Sequence, residues 1–185
     1  MASQPERVRT SVFVEHIGIT VPDVMAATHF FKEAFAAEFV CDLLSPVDVG
    51  DPRERDEMIK IFDELNVEAL FGIPKHARLH AVRVLSLDNG PQIELFEFTV
   101  EGQRDPAALS DLGFQHIGIQ VNDIDAAAAR IANAGGQLFD GPRSMFAPGS
   151  SPGNRFIYTR APWGMLIELV TYPSQIPPET GPNRG

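Results

Sequence analysis

Glu15-His16-Ile17-Gly18-Ile19-Thr20-Val21-Pro22-Asp23-Val24 is answered 100 residues later by Gln115-His116-Ile117-Gly118-Ile119-Gln120-Val121-Asn122-Asp123-Ile124. A second echo closes each copy, where Ile93-Glu94-Leu95 is matched by Ile167-Glu168-Leu169. Successive side chains of a strand point to opposite faces. His16, Gly18 and Thr20 therefore share one face, and Ile17, Ile19 and Val21 the other. His116, Gly118 and Gln120 stand against Ile117, Ile119 and Val121 in the same way. Each strand has an apolar face suited to a covering helix and a face of small or polar residues around one imidazole. Glu94 and Glu168 are single carboxylates in otherwise apolar strands, costly to bury unless paired or bound to a cation. Duplicated units bury their apolar faces against each other, so the four polar residues are expected to converge. Two imidazoles and two carboxylates form a donor set that a divalent metal accepts. His16, Glu94, His116 and Glu168 are the expected ligands.

Outward from these strands, both copies run in the same order. Val12 to Thr20 reads as a strand, Pro22-Asp23 as a turn whose aspartate caps the next helix, and Met25 to Phe35 as that helix. Its apolar residues Ala27, Phe30, Phe31, Ala34 and Phe35 recur at helical spacing. Phe114 to Val121, the cap Asp123 and a helix over Ala126 to Ala134 repeat this, with Gly135-Gly136 as the stop. His80 to Leu87 and Pro91 to Val100 are strands joined at Asp88-Asn89-Gly90, a hairpin signal. Arg155 to Thr159 and Met165 to Tyr172 are strands joined at Arg160-Ala161-Pro162-Trp163-Gly164. The fold class is α+β, with two tandem β-α-β-β-β modules. Their expected extents are 13–104 and 105–173, between loose polar tails at 1–12 and 174–185.

Glu94 follows His16 by 78 residues but Glu168 follows His116 by 52, so the first module holds 26 more. The insertion falls at about 46–79. Asp51-Pro52 reads as a cap followed by proline at the first helical position, and Met58, Ile61, Phe62 and Leu65 then line one helix face. Such an insertion serves either as a lid or wall for a substrate or as padding and dimer contact.

With 185 residues, 44% of them hydrophobic, the chain can build a substantial core. Its net charge of −10 disfavours nucleic acid and anionic membranes as partners. No apolar run is long enough to span a bilayer, and the first residues lack the apolar core of a secretion signal. Cys41 is the only cysteine, so no intrachain disulfide forms and a cytoplasmic location is expected. A homodimer is compatible with all of this. Among the remaining polar residues, Arg83 and His80 have opposite strand parity, so only one can face a cavity. Glu97 has the opposite parity to Glu94 and is expected to face solvent, as are His29 and His76. Tyr158 and Trp163 read by default as packing aromatics.

The paired His-Ile-Gly-Ile openings, the two Ile-Glu-Leu closings and the tandem module order resemble the vicinal oxygen chelate superfamily. It includes glyoxalase I, methylmalonyl-CoA epimerase, extradiol dioxygenases and the fosfomycin and bleomycin resistance proteins. The resemblance covers roughly residues 12–172. It implies a curved, half-open barrel around one divalent ion (zinc, nickel, cobalt, manganese or iron) with His16, Glu94, His116 and Glu168 as ligands. It also implies a small carbonyl or vicinal-oxygen substrate and an enolate or enediolate route, with Glu168 as proton carrier and Glu94 as its near-symmetric rival. The closing stretch Gly164 to Pro173 is similar to that of methylmalonyl-CoA epimerases. The extended first module, ending Asn89-Gly90-Pro91-Gln92-Ile93-Glu94-Leu95-Phe96-Glu97, resembles epimerases of cyclitol and other ketone substrates. A metal-dependent epimerase or isomerase is the leading expectation. A glyoxalase-like lyase, a dioxygenase and a ligand-binding resistance protein are the alternatives.

Overall fold

A computed structural model describes residues 13–46 and 50–173. The expected tails lie outside the described residues. The first module runs β1 (His16–Val21), α1 (Val24–Phe35), β2 (Glu38–Leu44), α2 (Pro52–Glu64), α3 (Val67–Phe71), β3 (Arg78–Ser86) and β4 (Gln92–Thr99). The second runs β5 (His116–Gln120), α4 (Ile124–Asn133), β6 (Gln137–Leu138), β7 (Arg143–Ser144), β8 (Arg155–Arg160) and β9 (Leu166–Thr171). The strand orders correspond: β1-β4-β3-β2 in one sheet, and β5-β9-β8-β6 in the other, with β7 also on β8. Neither sheet closes, as a half-open barrel requires. In both, the first strand lies parallel to the last, with Gly18 opposite Glu94 and Gly118 opposite Glu168.

Local chemistry sets these elements. The Asp23 carboxylate accepts from the Met25 and Ala26 amides at 2.8 and 2.9 Å, and Asp123 accepts from Ala126 at 2.9 Å. Both opening strands are shorter than expected at their starts. The Gln92 amide donates to the Glu15 carbonyl at 3.1 Å where the ladder begins, so Phe13 and Val14 find no partner strand. The α2 cap at Asp51 with Pro52 first is as expected. The second insertion helix, α3, was not anticipated, and no residue of either helix is buried. Arg55 of α2 ties the insertion to the sheet by donating to the carbonyls of Ser45 and His80. In the second module the strand matching β2 is split into β6 and β7 around Gly141-Pro142, where proline has no amide to give the ladder.

The modules meet helix side to helix side. Phe30 and Phe31 of α1 lie against Trp163, with ring centroids 5.3 and 5.9 Å apart, and Arg130 of α4 donates to the Ala34 carbonyl at 3.2 Å. One core cluster joins Val24, Phe30, Phe31, Ile93 and Leu95 to Ile124, Ile131, Ile157, Ile167 and Leu169. Burying each large side chain contributes about 1.5–3 kcal/mol. Trp163 is thus a packing residue, as expected. No described helix is long and apolar enough to cross a membrane.

The structure decides the open question of Arg83 and changes one expectation, that for Glu97. Arg83 lies on the helix side of β3, 5% exposed, and Asp42 grips it with two hydrogen bonds of 2.7 and 2.9 Å, so it is committed to the core. Glu97 does not simply face solvent: it is half-buried and accepts from the Val24 amide at 3.0 Å, at the positive end of α1. Removing one partner of a buried ion pair strands the other charge. Asp42→Ala is therefore expected to destabilise the fold by roughly 3 kcal/mol or more in chemical denaturation, and an unchanged midpoint would refute that role.

Candidate metal site

Strand alternation places each imidazole on the face away from the core, beside the carboxylate one parallel strand over. His16 Nε2 lies 3.6 Å from Glu94 Oε2, and His116 Nε2 lies 3.4 Å from Glu168 Oε2. Metal–nitrogen bonds near 2.0–2.1 Å and metal–oxygen bonds near 2.0–2.2 Å put adjacent donors on one ion roughly 3–3.5 Å apart. The His116–Glu168 pair falls within that spacing, and the His16–Glu94 pair lies just beyond it.

The far side of each ring is anchored in the same way. His16 Nδ1 meets Glu15 Oε2 at 2.5 Å, and His116 Nδ1 meets Gln115 Oε1 at 2.7 Å. An amide oxygen only accepts, so His116 donates from Nδ1 and keeps the Nε2 lone pair free. That is the orientation metal-binding histidines receive from their outer partners. The Glu15 hydrogen bond, and secondarily the charge of Glu94, raise the His16 pKa above its ordinary value. Gly18 makes room for the Phe96 ring beside it, since a Cβ there would come within 3.3 Å of that ring.

Within one chain the four expected ligands form two pairs and not one cluster. No group of three or more His, Cys, Asp or Glu side chains among the described residues is close enough to share an ion. A groove of about 930 Å³ follows one side of β5, lined by Phe114, residues 116–123, Ile17 and the hairpin at residues 87–91.

Tyr158 belongs to the second pair, beyond the default reading of it as packing. It stands directly opposite Glu168 in the β8–β9 ladder, and its ring meets His116 edge-on with centroids 5.4 Å apart. Burial and the Glu168 carboxylate push its phenol above the ordinary value, so it stays protonated. The matching position opposite Glu94 is Val84, so only one pair carries a phenol. Folding the β8–β9 hairpin about Trp163 gives this register, a signal the sequence contained.

A sequence profile of the glyoxalase/bleomycin resistance protein/dioxygenase superfamily matches residues 15–158. The chain is 33% identical over 168 residues to a 2-epi-5-epi-valiolone epimerase of Actinomyces sp., spanning 90% of this chain and 83% of the relative. Among solved structures, a glyoxalase family protein from Bacillus cereus superposes with a TM-score of 0.63 at 17% identity, covering 90% of this chain and 97% of that one. A variant of a fosfomycin resistance protein from Listeria monocytogenes, complexed with manganese(II) and a dihydroxypropylphosphonic acid, superposes with a TM-score of 0.50 at 18% identity. There the coverage is 87% of this chain and 90% of that one.

The two imidazoles differ in their outer partner, carboxylate against amide, and this is measurable. In metal-free protein, NMR titration should place the His16 midpoint above the ordinary imidazole value, and Glu15→Gln should move it down. A His16 midpoint that ignores Glu15→Gln would contradict the assigned hydrogen bond.

Proposed function

Because the chain belongs to the glyoxalase/bleomycin resistance protein/dioxygenase superfamily, we propose that its two His–Glu pairs serve a divalent-metal-dependent epimerase of a small polyhydroxylated ketone, acting as a homodimer. The observation that carries this reading is the matched geometry of the pairs, each with a carboxylate oxygen 3.4–3.6 Å from an imidazole Nε2. The 33% identity to a cyclitol epimerase supports the choice of reaction and substrate class.

His16, Glu94, His116 and Glu168 would hold the ion, leaving about two positions of a six-coordinate cation for vicinal substrate oxygens. The cation would supply the positive charge that acidifies the carbon next to a carbonyl and stabilises the resulting enolate. The proton itself must pass to a group within hydrogen-bond reach. Glu168 is the assigned carrier, and Glu94 can return a proton on the opposite face, which inverts the stereocentre. Tyr158, held neutral beside Glu168, orients that carboxylate by hydrogen-bond donation. The groove along β5 supplies room for a small ligand beside His116.

Incubation with 2-epi-5-epi-valiolone in deuterated water tests the proposal, the probe being the substrate that the name of the relative indicates. The expected result is deuterium at the inverted carbon, abolished by a chelator and restored by a divalent ion. Oxygen uptake with a catechol in place of exchange would overturn it in favour of ring cleavage. Glu168→Gln keeps an amide oxygen that can coordinate but no base, so turnover should fall by more than about a hundredfold with part of the metal retained. Full turnover in that variant would remove Glu168 from the proton path.

A further inference from the structure

The insertion that lengthens the first module also builds a second cavity. A cleft of about 520 Å³ opens where α2 lies beside the start of β3, within the size range of small-molecule sites. The approach to β3 has an unusual charge pattern for a chain of net charge −10. From Ala69 to Leu87 it carries Lys75, His76, Arg78, His80 and Arg83 and no aspartate or glutamate. Lys75, His76, Arg78 and His80 line the cleft, and Arg55 joins them from α2. Among the described residues, Asp63 is the only carboxylate in that lining.

Much of this charge has no internal use. Among the described residues, ion pairs engage Lys75, Arg83, Arg143 and Arg155 and leave Arg55 and Arg78 without a carboxylate. Arg55 is held in place by carbonyls instead: its Nη1 donates to those of Ser45 and, at 2.7 Å, of His80. Among the described residues its Nε and Nη2 donate to nothing, so one edge of a fixed fork stays open. His80 is fixed as well, with Nε2 2.8 Å from Thr99 Oγ1. The Lys75–Glu68 pair is 3.4 Å long with both side chains at least 60% exposed, so it is worth little and yields readily to a stronger partner. Three cations against one lining carboxylate leave about two positive charges focused in the cleft.

We propose that this cleft binds a small organic phosphate monoester. Such a group carries about −1.5 to −2 charge near neutral pH, which matches the excess, and a guanidinium fork suits its oxygens. Leu44, Ile59, Phe62 and Leu79 supply an apolar wall for the organic part. The site is separate from the His–Glu pairs. Val84 of β3 stands opposite Glu94, and His80 and Arg78 lie four and six residues before it. At about 3.3 Å per residue, that is roughly 13 and 20 Å along the strand. A small substrate on His16 and Glu94 does not span that gap, so the phosphate belongs to a second molecule. It bridges Arg55 of α2 to Arg78 of the sheet and clamps an insertion whose helices bury no residue of their own. The second module lacks the insertion and has no counterpart.

Phenyl phosphate is the probe, its binding to the full chain read by calorimetry and by amide hydrogen exchange. Saturable binding is expected, with protection of the amides of α2 and of residues 75–80, and a chelator should leave it unchanged. Inorganic phosphate, which lacks the apolar part, and phenyl sulfate, a monoanion, should both bind more weakly. Arg78→Ala should cut the affinity about tenfold or more through loss of charge-assisted hydrogen bonding, and Arg78→Lys should restore part of it. Arg78 and Lys75 are both exposed, so Lys75→Ala serves as a second variant that leaves the core intact and should also weaken binding. Absence of saturable binding overturns the proposal, as does an affinity that ignores both alanine substitutions. Binding lost to the chelator would place the phosphate on a cation and overturn the site. Inorganic phosphate bound as tightly as phenyl phosphate would overturn the monoester in favour of the free ion.

Discussion

The two-residue period of a β-strand is the constraint on which the rest of this structure depends. It sends Ile17, Ile19 and Val21 to one side and His16, Gly18 and Thr20 to the other, and the second module repeats the division. The isoleucines commit that side to the helices, which join the modules through one core. The imidazoles are thereby committed to the opposite side. A one-residue slip in register would exchange the two sets, costing the core and the site together. Packing and chemistry are thus specified by the same short stretch.

That arrangement explains why strong local evidence for a metal centre coexists with separated pairs. Helix-side contact between the modules buries their apolar faces in one core, and strand alternation leaves each His–Glu pair on the other side of its sheet. Each pair alone is tolerable in a free chain, since its carboxylate is partly exposed and has an imidazole nearby. Each is nonetheless prepared for more. The ring is fixed from behind and Nε2 faces the carboxylate.

The sequence made much of this legible. Periodicity of apolar residues located α1 and α4, the caps at Asp23, Asp51 and Asp123 placed helix starts, and the Asn89-Gly90 turn set the β3–β4 hairpin. The pairing of His16 with Glu94 and of His116 with Glu168 followed from the duplication. Convergence of all four in one chain did not, because repetition says that two units are alike and not which faces they turn to each other. The roles of Glu97 and Arg83 are not legible for a related reason: their partners, Val24 and Asp42, lie 73 and 41 residues away. The break between β6 and β7 depends on where Gly141-Pro142 falls against β8, which periodicity does not report. Tyr158 was within reach by counting across its turn.

A crystal structure of the manganese-loaded protein, with the ions located by their anomalous scattering, tests the central claim most directly. The account predicts each ion about 2.0–2.2 Å from an imidazole nitrogen and a carboxylate oxygen of both pairs. Ions bound elsewhere, with both pairs bare, would contradict the metal centre itself.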